Sequence, residues 1–94
     1  MKKEYVLDCS KMYNRGATHE YIAKILNFPE YYGKNLDALF DCLTEMSKCS
    51  ITFENIRELK NLGEYAGVLM AVFEEAESVN ADLSLFNMHE DDDI

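Results

Sequence analysis

Short apolar runs alternate along this chain with stretches of helical period. Tyr5, Val6 and Leu7 follow three charged residues and predict a first strand over about residues 4–8. Asn14-Arg15-Gly16 is a turn signal. Thr18 is then the expected N-cap of a first helix over about residues 19–26, with Tyr21, Ile22, Ile25 and Leu26 at helical spacing. Asn27 and Pro29 end it. Residues 31–34 read as a loop in which Gly33 is expected to supply a backbone angle that other residues resist. Asn35 is a good N-cap for a second helix over about residues 36–46. A β-rich segment, Ser50-Ile51-Thr52-Phe53-Glu54, predicts a second strand. Residues 55–61 predict a brief third helix with Ile56, Leu59 and Leu62 inward, stopped by Gly63. Residues 64–79 are the strongest periodic segment, with Tyr65, Val68, Leu69, Val72, Phe73, Ala76 and Val79 following the i, i+3, i+4, i+7 rule. Asn80 and Ala81 break the pattern, and residues 82–87, with Leu83, Leu85 and Phe86, predict a third strand.

Strands that alternate with helices argue for an α/β fold, with parallel strands joined by helical crossovers. Ninety-four residues, 48% of them hydrophobic, are enough for one domain with a real core. That domain is expected over residues 1–88, followed by an acidic C-terminal tail, residues 89–94. The longest apolar run falls far short of the ~18 residues a membrane span needs, and the N-terminus carries no secretory h-region. Three cysteines, Cys9, Cys42 and Cys49, with no C-x-x-C pair, suggest free thiols in a reducing compartment, the cytoplasm. Cys42 beside Leu39 suits a small buried hydrophobe.

Charge narrows the partners. Nine basic against eighteen acidic residues give a formal net charge of −9. Such a surface repels nucleic acid and anionic membranes, and it attracts and steers a basic protein. Enzyme chemistry finds little to work with. Nucleophilic catalysis wants Cys or Ser near His, but the two histidines, His19 and His89, stand in polar stretches and are expected at the surface. Neither G-x-x-x-x-G-K nor H-E-x-x-H is present. The run His89-Glu90-Asp91-Asp92-Asp93 lacks the spacing of a calcium loop, so no metal site and no cofactor are expected.

One segment breaks a local rule. On the second helix Leu36, Leu39 and Leu43 form a core-facing stripe, at roughly 100° per residue. The adjacent quadrant carries Phe40, Thr44, Asp37, Asp41 and Glu45. Asp37 and Asp41 lie four apart without a cation between them on that face. Like charges so placed cost on the order of 0.2–0.5 kcal/mol, and local costs of this kind collect at functional sites. One helix face does not make the flanked cleft that a paired-carboxylate hydrolase needs.

The run PEYYGKNLDALFDCLTE, from Pro29 to Glu45, resembles the signature segment of the barstar family, small intracellular inhibitors of bacterial ribonucleases. Val72-Phe73-Glu74-Glu75-Ala76 resembles the family's last helix, and the order of elements is similar from Glu4 to Phe86. The resemblance implies a small three-stranded parallel sheet with about four helices. It also implies a non-enzymatic inhibitor that forms a one-to-one complex with a basic secreted ribonuclease and is a monomer when free. By resemblance Asp41 plugs the enzyme's active site in place of an RNA phosphate, Tyr31, Asn35, Asp37, Phe40 and Thr44 make supporting contacts, and Glu75 adds a further acidic contact. The chain departs from the family pattern at Phe40, typically tryptophan, and at Lys34, commonly acidic. It departs again at Glu45 and Met46, often glycine and an aromatic residue. These departures suggest an inhibitor tuned to a different enzyme. The alternative, from charge alone, is an acidic interaction or immunity module that neutralises a different basic protein toxin.

Overall fold

The computed structural model describes residues 2–88, so the acidic segment 89–94, His89 included, lies outside the described residues. Strands β1 (Lys3–Asp8), β2 (Cys49–Glu54) and β3 (Leu83–Phe86) form one parallel sheet in the order β1-β2-β3. Tyr5 pairs with Ile51 in the first ladder, and Ile51 with Leu85 in the second. The crossovers hold helices α1 (Arg15–Leu26), α2 (Leu36–Thr44) and α3 (Glu64–Val79), and a 3-10 helix over Ile56–Leu62. These four helices on a three-stranded parallel sheet are the architecture expected. A further 3-10 turn, Cys9–Lys11, closes the end of β1.

Alternation along the strands decides which sheet face is covered. Leu7, Ile51, Phe53 and Leu83 point into the core, where they meet Ile22 and Leu26 of α1, Leu39 and Leu43 of α2, and Leu69, Phe73 and Ala76 of α3. The rings of Phe53 and Phe73 meet edge-on, 5.1 Å apart. The intervening strand residues Glu4, Val6 and Glu54 are exposed. Phe86 is exposed as well, so only the Leu83 and Leu85 side of β3 packs inward.

Several sequence expectations are corrected. Helix α1 begins four residues before the position expected, because Asn14, not Thr18, is its N-cap: the Asn14 Oδ1 accepts from the Ala17 N–H at 2.8 Å. The Asn-Arg-Gly stretch is therefore a cap and a first turn. Thr18 is buried, and its hydroxyl donates to the Asn14 carbonyl at 2.7 Å. Gly33 does not hold the unusual backbone angle, which falls on Lys34 at φ 57°. Gly33 instead makes room for its neighbours, since a Cβ there would stand 3.2 Å from the Asn35 Nδ2 and 3.4 Å from the Ala38 Cβ. The segment after β2 winds as a 3-10 helix, with Leu59 buried. Val68 and Val79 extend the apolar stripe of α3 beyond the core and are 49% and 63% exposed. All three thiols are free, but Cys42 is only half-buried. Burial pushes the Cys9 thiol up to about 12.

Candidate functional site

Asn35 builds the start of the site. Its Oδ1 accepts from the Ala38 N–H at 2.8 Å, and its Nδ2 donates to the Gly33 carbonyl at 3.3 Å. One side chain thus satisfies an orphan donor of α2 and fixes the turn that leads into it. Leu39 and Leu43, fully buried, clamp the helix to the core by its inner stripe. Asp37 and Asp41 are left exposed on the outside, one turn apart. Phe40 is half-buried and packs against the edge of the core. Thr44 is half-buried, and its hydroxyl donates to the Asp41 carbonyl at 2.9 Å. Before the helix Tyr31 stands 87% exposed, an aromatic ring offered almost wholly to solvent. Glu75 is exposed on α3, the helix that packs against α2. Six of the seven expected residues thus lie on α2 and the turn before it, and the seventh lies on the neighbouring helix.

Among the described residues no cation pairs with Asp37, Asp41 or Glu75. Asp37 lies in the first turn of α2, where the helix dipole favours a carboxylate. Asp41 and the C-cap residue Glu45 lie toward the opposite end, where the dipole disfavours it, and the last turn carries no basic residue. The result is an exposed, uncompensated negative face on a rigidly packed helix. Such a face can accept charge-assisted hydrogen bonds from a cluster of guanidinium, ammonium or imidazolium groups. Beside it opens a groove of about 680 Å³ whose walls include Tyr5, Phe28, Tyr31, Asp41 and Glu45, with Lys3 and Lys48 also lining it.

Sequence reasoning missed His19. It is not a surface residue but 2% exposed, and both its ring nitrogens are engaged. Nδ1 lies 2.7 Å from the Tyr32 hydroxyl and Nε2 lies 2.7 Å from the Tyr65 hydroxyl. Burial holds the imidazole below its ordinary value. The Arg15 guanidinium lies 4.3 Å from the centre of the Tyr65 ring. The signal that finds His19 is its spacing from Ile22 and Leu26, which puts it on the same inward stripe once the helix is begun at Asn14.

Comparison with known proteins bears on residues 3–88, which match the model of a family described as "Barstar (barnase inhibitor)". The chain is also 37% identical, over 79 residues, to the Bacillus subtilis (strain 168) protein named "Putative ribonuclease inhibitor YrdF", an overlap that covers 80% of this chain and 86% of that protein. No helix among the described residues is long and apolar enough to cross a membrane.

Proposed function

The chain belongs to the barstar family, and from that premise we propose that it is a protein inhibitor of a basic secreted ribonuclease. It would hold that enzyme inactive in the cytoplasm of the producing cell, in a one-to-one complex, until export. The observation that carries this reading is the exposed carboxylate of Asp41, without a cation of its own, on a helix whose other face is locked in the core. A ribonuclease active site is built to hold phosphate and is lined with arginine, lysine and histidine. A carboxylate presented on a rigid support takes the place of that phosphate and is bound by the same donors. Asp37 extends the negative face, Tyr31 and Phe40 supply aromatic surface, and Asn35 and Thr44 add polar contacts. Glu75 meets a further basic group from α3. The block is steric and electrostatic, with no covalent step and no cofactor.

Barnase, the enzyme named in the family description, is the first to assay. The purified chain alone is expected to leave RNA intact, and to suppress barnase-type ribonuclease activity at a near-equimolar ratio. Neutralisation of an unrelated basic toxin, with no effect on barnase or any other microbial ribonuclease, would replace this reading with that of a general acidic immunity module.

A further inference from the structure

The loop between α1 and α2 that carries Tyr31 has one inward anchor. Glu30, Tyr31, Gly33, Lys34 and Asn35 are all exposed, and Tyr32 alone among residues 30–35 is buried. Its ring packs on Phe28 at 5.1 Å, its N–H donates to the Pro29 carbonyl at 3.0 Å, and its hydroxyl meets His19. The other ring nitrogen of His19 meets Tyr65 in the first turn of α3, the helix that carries Glu75. A single buried imidazole therefore joins α1, the Tyr31 loop and α3.

We infer that His19 is a positioning residue for partner binding, whose bridge between the Tyr32 and Tyr65 hydroxyls sets where Tyr31 stands relative to the acidic face. The inference rests on the inhibitory role proposed above. It also makes the grip of the complex sensitive to acid. A neutral imidazole has one N–H and one bare nitrogen, so it donates to one hydroxyl and accepts from the other. Protonation gives two N–H donors. The tyrosine that had donated must then turn its hydrogen away, and a hydrogen bond is given up in a largely buried site. The surroundings offer the charged ring little compensation. Arg15 over the Tyr65 ring adds a second positive charge, and the Cys42 thiol beside Tyr32 is held neutral by burial. Glu20 of α1 is turned outward and stands 3.4 Å from the exposed ammonium of Lys34.

The sign of the effect follows. The folded chain resists a proton that the unfolded chain accepts near 6.5. Stability from the bridge is complete above that value and is lost as the pH falls from it toward the lower value of the folded state. Tyr31, one residue from the anchor, loses its support only below that lower value, where the folded imidazole itself takes up the proton.

The test compares wild type with His19→Gln, whose amide can donate to one hydroxyl and accept from the other but does not titrate. Dissociation of barnase is followed from about pH 7.5 down to about pH 4.5, a window that extends well below the ordinary imidazole value, with melting curves of each free inhibitor over the same range. Titration of the enzyme's own groups is common to both complexes and cancels in the comparison. Dissociation from wild type is expected to accelerate several-fold more than from His19→Gln. The melting temperature of wild type should likewise fall more steeply with acid than that of His19→Gln. Parallel profiles would overturn the inference. If neither protein binds barnase, the inhibitory reading fails while the melting curves still decide the bridge. Should His19→Gln not fold, Tyr65→Phe removes the hydroxyl at the half-exposed end. It is expected to speed dissociation several-fold at neutral pH, and an unchanged rate would count against the bridge.

Discussion

Asp41 occupies a position that folding alone would not choose. It repels Asp37 one turn before it, and it faces the carbonyl end of a short helix. Removing it should therefore leave the fold intact or slightly firmer. For Asp41→Ala we expect a melting temperature equal to or a little above that of wild type, with a gain of up to about 0.5 kcal/mol. A clear loss of stability would mean that the carboxylate has a structural partner. The two acidic residues were legible in the sequence, because helical periodicity assigns a face to every residue once the apolar stripe is known. His19 was not, because reading Asn14 as a turn residue started the helix too late and left His19 at its frayed end. The aromatic hydroxyls that satisfy it come from residues 13 and 46 positions away, a distance over which local pattern carries no information.

Elements hold one another here through a few polar residues as well as through the core. Asn80 ends α3 and is buried. Its Nδ2 donates to the Leu43 carbonyl at 3.0 Å and the Met46 carbonyl at 3.2 Å, and its Oδ1 accepts from the Asp82 N–H at 3.0 Å. One amide thus ties the last turn of α2 and the residues just after it to the entry of β3. Asn80→Ala is expected to cost roughly 1–3 kcal/mol in urea unfolding, the penalty for buried groups left without partners. A change within measurement error would show that water replaces the side chain freely. The sequence marks Asn80 only as a helix stop, which it is. Its role as a clamp on α2 depends on the packing of α3 against α2, which the family resemblance implies and periodicity alone does not. The same limit explains Gly33. A glycine after two tyrosines signals a special backbone, but only the placed Asn35 and Ala38 side chains show that it is needed for space.

At the scale of the whole molecule the charge of −9 acts before any contact forms. A basic enzyme should be drawn in quickly at low ionic strength and more slowly as salt screens the field over roughly 10 Å at 0.1 M. The association rate should fall on the order of tenfold or more between low and high salt, with dissociation changing less. An association rate flat with ionic strength would contradict steering. Steering does not distinguish a built site from general acidity, and that distinction is the centre of the account. It is decided by the binding constant for barnase of Asp41→Ala set beside that of the combined Asp91→Ala, Asp92→Ala and Asp93→Ala variant. The first removes one negative charge, and the second removes three. Asp41→Ala is expected to lose roughly 2–5 kcal/mol or more, the cost of leaving a buried charge partner unpaired; the barnase–barstar complex is itself a reference case for strong coupling of such charge pairs. The triple variant should lose little apart from a slower association. A larger loss from the three tail charges than from Asp41 would contradict the account, because binding would then follow net charge and not the carboxylate on α2.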